Sequence, residues 1–136
     1  MKKTKILVVD DEAHICEFAK RFLTRRNYDV CTAEDATAAI ELVKKENPAI
    51  VLLDINIGSV SGLDVLKEIK VMNNEMKVIM VTAHEDMSTI VEAKNLGADD
   101  YITKPFTGET LERMILQKIS LLAQRQMMRN PSGSDT

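Results

Sequence analysis

The chain has 136 residues, 45% of them hydrophobic and 29% charged, with a formal net charge of −3. That length suits one domain with a real core. The mildly acidic balance, with no basic block, argues against direct nucleic-acid or membrane-surface binding by this chain alone, and no apolar run is long enough to cross a bilayer.

Apolar runs alternate with amphipathic stretches. The first run, Lys5-Ile6-Leu7-Val8-Val9, ends in Asp10-Asp11. Residues 13–26 read as a helix with Ile15, Phe18, Ala19, Phe22 and Leu23 on one face. Residues 28–33 read as a short strand and 36–47 as a helix carrying Ala36, Ala39, Ile40 and Val43, stopped by Pro48. The run Ala49-Ile50-Val51-Leu52-Leu53 ends in Asp54. A helix over 61–74 carries Leu63, Val65, Leu66 and Ile69. Val78-Ile79-Met80-Val81 ends in Thr82, and a helix over 85–96 carries Met87, Ile90, Val91 and Lys94, with Gly97 placed to end it. Tyr101-Ile102-Thr103 ends in Lys104-Pro105. From 107 a long helix carries Leu111, Met114, Ile115, Lys118, Ile119 and Leu122.

Five strand-helix units predict an α/β fold with a parallel sheet covered on both faces. The runs at Ile6, Ile50 and Val78 are almost wholly apolar, as central strands should be. Those at Tyr28 and Tyr101 are more polar, as edges tend to be. This fits a flavodoxin-like (βα)5 arrangement in the order 2-1-3-4-5, the order known for flavodoxin and a chemotaxis regulator. The last helix would span roughly 35 Å at 1.5 Å per residue, more than the sheet needs. Residues 1–123 are therefore expected to form the domain. Residues 124–136 are expected to be a helical extension fading into a disordered tail or linker toward an absent output domain.

The opening Met-Lys-Lys-Thr-Lys has the charge of a signal-peptide n-region, but the apolar stretch behind it is too short, so a cytoplasmic protein is expected. Cys16 and Cys31 lie in no metal spacing and read as reduced, partly buried thiols; Asp99-Asp100 reads as a solvated turn.

In an open parallel sheet, ligands bind outside the carboxyl ends of the strands. Asp10, Asp11, Asp54, Thr82 and Lys104 would converge there. Three carboxylates, a hydroxyl and an ammonium suit a divalent cation plus a phosphoryl group. Clustered carboxylates should raise a pKa unless a cation is present. Asp10-Asp11-Glu12 is also expected to cap the first helix.

The pieces Val-Val-Asp10-Asp11-Glu12, Leu-Leu-Asp54-Ile-Asn56, Gly62, Val-Thr82-Ala83 and Tyr101-Ile-Thr-Lys104-Pro105-Phe106 resemble the receiver domain of two-component response regulators. The resemblance covers residues 4 to about 122. It implies that Asp54 is the phosphoacceptor, and that Asp11, Asp54 and the Asn56 carbonyl hold Mg²⁺ or Mn²⁺ directly, with Asp10 acting through water. It assigns phosphoryl contacts to Asn56, Thr82, Ala83 and Lys104, with Asp54, Thr82 and Lys104 as the catalytic set. Thr82 and Tyr101 would form the switch, altering the surface of the fourth helix, fifth strand and fifth helix. The implied partners are a sensor histidine kinase or histidine phosphotransfer protein, with a possible homodimer on phosphorylation. The domain would assist its own modification rather than act as a conventional enzyme.

Two departures stand out. The family often has proline where Gly58 stands, so the 57–61 loop is expected to be more mobile, and Gly58→Pro to rigidify it if φ allows. In the family, the positions held here by Asn56 and His84 flank the entry path of water and help set the phosphoryl lifetime, and His84 is expected to make that lifetime vary between about pH 6 and 8. The rival readings are weaker. An aspartyl-phosphate phosphohydrolase resembling the haloacid dehalogenases needs Asp-x-Asp and a cap domain. An FMN binder needs a phosphate loop where Asp10-Asp11-Glu12 would repel phosphate. A receiver-like scaffold that takes no phosphate needs no such complete set of side chains.

Overall fold

The computed structural model describes residues 2–83 and 87–129. Its elements run β1 (Lys5–Val9), α1 (Ala13–Arg25), β2 (Asp29–Ala33), α2 (Ala36–Glu46), β3 (Ile50–Asp54), β4 (Asn56–Ile57), β5 (Val60–Ser61), α3 (Gly62–Met72), β6 (Lys77–Thr82), α4 (Met87–Asn95), β7 (Asp100–Thr103) and α5 (Gly108–Arg129). Five strands pair in parallel in the order β2-β1-β3-β6-β7. This is the expected 2-1-3-4-5 order, renumbered by a small antiparallel hairpin, β4-β5, in the segment expected to be a loop.

Burial explains the order. Every residue of β3 and β6 is buried, whereas the edge strands β2 and β7 are only partly so. Side chains alternate across a strand. Leu7, Val9, Val51, Leu53, Val78 and Met80 share the core cluster with Ala39 and Val43 of α2 and Val65, Leu66 and Ile69 of α3. Their neighbours Ile6, Val8, Ile50, Leu52 and Ile79 are equally buried on the other face. Each such side chain contributes about 1.5–3 kcal/mol by leaving water.

The helix ends follow local chemistry. Asp35 accepts the Ala38 N–H at 2.7 Å, and Ser61 accepts the Leu63 N–H at 3.2 Å, which caps α2 and α3. Before Pro48 the α region is disfavoured, and Asn47 leaves α2 in the left-handed region at φ 46°. Beyond α4, the Ala98 N–H donates to Ala93 O and the Gly97 N–H donates to Lys94 O, both at 3.0 Å, the pair of hydrogen bonds of a Schellman motif. Gly97 thus ends the helix as expected.

Three local expectations are corrected. The buried stripe of α1 is Cys16, Ala19 and Leu23, while Phe18 is exposed and stacks at 6.0 Å on Phe22. In α4 the buried positions are Ile90 and Ala93, with Met87 and Val91 facing outward. Asp99 is no solvated turn residue. It accepts from Lys70 Nζ at 3.0 Å, Lys77 Nζ at 3.5 Å and the Val78 N–H at 2.8 Å, which ties α3 to the amino ends of β6 and β7. Both cysteines are free thiols, Cys16 buried and Cys31 half-buried.

The chain divides into two compact units, 1–106 and 107–136. In the second, α5 runs unbroken past residue 124 to Arg129, begun by the Thr107 hydroxyl accepting the Thr110 N–H at 3.1 Å. The tail expected over 130–136 lies outside the described residues. No described helix is long and apolar enough to cross a membrane.

Candidate functional site

Parallel register aligns the carboxyl ends of the strands. Val9 pairs with Leu53, so Asp10 and Asp54 emerge side by side. Thr82 pairs with Thr103, and the Lys104 N–H donates to Thr82 O at 2.8 Å, which places Lys104 one residue beyond. The Lys104-Pro105 bond is cis.

Lys104 Nζ is the centre of the site. It lies 2.9 Å from Asp10 Oδ2, 2.9 Å from Asp54 Oδ2 and 3.0 Å from Glu12 Oε1. Asp54 Oδ1 accepts the Asn56 N–H at 3.1 Å. Asp10 Oδ1 accepts the Glu12 N–H at 2.9 Å, and Asp11 Oδ2 accepts the Gly58 N–H at 3.0 Å. The acidic triplet is therefore committed to the site. Contrary to expectation, the N-cap residue of α1, Glu12, makes no side-chain capping bond; its carboxylate meets Lys104 instead.

Asp10 and Asp54 are buried, with 2% and 6% of their surface exposed. Burial pushes the Asp54 carboxyl above the ordinary carboxylate range, opposed by Lys104 and the Asn56 N–H and reinforced by the Asp10 charge. Carboxylate repulsion, the cause foreseen from sequence, is thus secondary to desolvation. For Lys104, burial pulls the pKa down, but hydrogen bonds to Asp10, Asp54 and Glu12 outweigh it and raise the ammonium above its usual range. Lys104 stays charged.

Ligand-capable oxygens of Asp10, Asp11, Glu12 and Asp54 all lie within 4.8 Å of one another. The donor set is carboxylate oxygen, which fits a hard divalent cation such as Mg²⁺ or Mn²⁺. The nearby Cys16 thiol is held protonated, its pKa pushed up to about 11 by burial and by the Asp10 and Glu34 charges, so it adds no soft ligand.

The remaining predicted residues are distributed unevenly. Thr82 is buried at the end of β6, and Ala83 is exposed just beyond it. Tyr101 is half-buried against the core cluster. Asn56 opens the β4-β5 hairpin with its residue exposed. His84 lies outside the described residues.

Sequence reasoning missed Glu12 as a Lys104 partner, although it is the third of three consecutive carboxylates. It also gave no reason for Gly62. A Cβ there would collide with Asp54 O and sit 2.9 Å from Ile55 Cα, so only glycine lets α3 begin against the phosphoacceptor candidate's own backbone. Gly58 has φ +62°, beyond proline's reach, so Gly58→Pro cannot rigidify the loop as it stands.

The sequence pattern of the response regulator receiver domain matches residues 6–116, and the chain belongs to that family. It is a receiver domain of a two-component response regulator, a signalling switch rather than a conventional enzyme. It is 36% identical over 133 residues to "Probable transcriptional regulator ycf27" of Porphyridium aerugineum, covering 96% of this chain and 55% of that protein. The chain spans about half the length of the curated relatives it matches. Among solved structures, a CheY-like receiver domain protein from Methanospirillum hungatei JF-1 is 29% identical with a TM-score of 0.88, covering 91% of this chain and 99% of that one. NtrX from Brucella abortus is 30% identical with a TM-score of 0.89, over 95% of this chain and 29% of that one.

Proposed function

We propose that this chain accepts a phosphoryl group on Asp54, in the presence of Mg²⁺ or Mn²⁺, from a histidine kinase or histidine phosphotransfer protein, and that the adduct controls an output partner or domain. The observation that carries the reading is the Lys104 ammonium held against Asp54 at the carboxyl ends of the strands, inside an all-oxygen acidic cluster.

Asp54 Oδ attacks phosphorus, the bond to the donor histidine nitrogen breaks, and that nitrogen recovers a proton. The product is an acyl phosphate. Its later hydrolysis breaks the new P–O bond with water, releases phosphate and restores the Asp54 carboxylate. Asp10, Asp11 and Asp54, with the Asn56 carbonyl, would hold the metal. When bound, the cation neutralises charge on the transferring group. Lys104 exchanges its Asp54 contact for a phosphoryl oxygen, as a point charge suited to that role. The Thr82 hydroxyl and Ala83 N–H donate to the remaining oxygens. Thr82 drawn inward frees space that Tyr101 fills, which biases the surface of α4 and β7 between two states. His84 and Asn56 set access for water.

The two free thiols suit a reducing, cytoplasmic setting. Residues from 124 onward would link the switch to what it controls, through a second copy of the chain or an output domain.

The test is incubation with phosphoramidate and Mg²⁺ followed by intact-mass measurement. One phosphoryl group should be gained, removed by hydroxylamine, and absent in Asp54→Asn or with chelator. An adduct that persists in Asp54→Asn would overturn the assignment.

A further inference from the structure

The β4-β5 hairpin turns through two residues, Gly58 and Ser59, between the paired Ile57 and Val60. Gly58 has φ +62°, the left-handed conformation that the first position of such a tight turn demands. In a two-residue turn the ladder closes between the flanking residues, so the N–H of the first turn residue is left outside it. Here that N–H meets Asp11 Oδ2 at 3.0 Å, 47 residues away in sequence. Asp11 is exposed, follows β1 by two residues, and belongs to the acidic cluster. An exposed aspartate samples several rotamers, and only some aim its carboxylate at its three acidic neighbours.

We infer that the Gly58 backbone N–H is a positioning group for the metal carboxylate Asp11, and that the hairpin and the metal site are thereby coupled. This rests on the proposed divalent-cation reading of the acidic cluster. A carboxylate has two oxygens and about four lone-pair directions, so Asp11 can accept from Gly58 and still serve a cation. The bond to an ionised acceptor is of the stronger kind. It selects the rotamer before metal arrives, and partners of this type govern metal affinity. Coupling runs both ways: a cation that orders Asp11 also secures the hairpin turn.

The position separates the backbone roles. A Cβ on Gly58 would meet nothing within 4 Å, so side chains fit. Gly58→Asn keeps the N–H, and asparagine tolerates φ near +60°. Gly58→Pro deletes the donor and abandons that φ. Mg²⁺ affinity would be measured by calorimetry on the whole chain, with folding of each variant checked by circular dichroism. Gly58→Asn should bind within about twofold of the wild type, and Gly58→Pro about tenfold more weakly. A second readout needs no change at Gly58: without metal, the Gly58 amide of the wild type should exchange with solvent several-fold more slowly than in Asp11→Ala.

Wild-type affinity in Gly58→Pro, or equal amide exchange in the two metal-free proteins, overturns the positioning role while leaving the metal reading intact. A wild type that binds no Mg²⁺, or that binds it equally well as Asp11→Ala, overturns the metal reading and this inference with it.

Discussion

Lys104 Nζ lies 2.9 Å from Asp54 Oδ2, although the two residues are 50 positions apart in sequence. The same ammonium holds the buried Asp10, so one cation compensates two carboxylates that water barely reaches. Lys104→Met should lower stability in metal-free buffer by about 2–4 kcal/mol, because breaking a buried pair strands its partner. Asp54→Asn should cost less than about 1 kcal/mol, since burial already penalises the Asp54 charge and Lys104 keeps Asp10 and Glu12. Urea midpoints decide it; equal losses in the two variants would refute the asymmetry.

Gly62 is a steric requirement. Alanine there drives Cβ into the Asp54 carbonyl, a backbone atom that cannot swing aside. Gly62→Ala should destabilise by about 3 kcal/mol or more. At Gly58, where space is open, alanine should cost only the left-handed penalty of about 1–2 kcal/mol. Thermal unfolding of the two variants side by side reads the difference.

Asp99 anchors the opposite end of the sheet. Its side chain is 21% exposed and pairs with Lys77, whose side chain is 9% exposed, and with Lys70. Asp99→Ala leaves Lys77 buried without that partner, an expected loss of about 2–4 kcal/mol. Phosphoryl uptake at Asp54 should survive at temperatures where the variant is folded. A fully stable Asp99→Ala would show that Lys70 and Lys77 find water instead.

The Lys5–Glu46 pair, at 2.9 Å, joins β1 to the end of α2. The hydrogen bond to Glu46 raises the Lys5 pKa, and the same bond lowers that of Glu46. A depressed carboxylate contributes above its unfolded pKa and fades as pH falls through the folded one. A raised lysine contributes below its unfolded pKa and fades at alkaline pH. Glu46→Gln should therefore lower the urea midpoint slightly around neutrality, with the deficit vanishing in acid. A deficit that persists in acid would assign it to packing rather than charge.

The sequence by itself determined the five strand-helix units, the central and edge strands, and the reactive residues at the strand ends. Those signals are local: apolar runs of strand length, helical spacing, and a polar residue where each run stops. It also carried the family, because the motifs at Asp10-Asp11, Asp54, Thr82 and Lys104-Pro105 arrive in order. Only the tertiary structure decided which groups meet. That Glu12 turns to Lys104 rather than capping α1, that Asp99 is a half-buried anchor, and that the Gly58 N–H reaches Asp11 all depend on segments distant in sequence, and that Gly62 must lack a side chain depends on how the chain folds back on Asp54. No local pattern encodes such contacts, because the partner of each group is chosen by strand register and loop closure rather than by its neighbours in the chain.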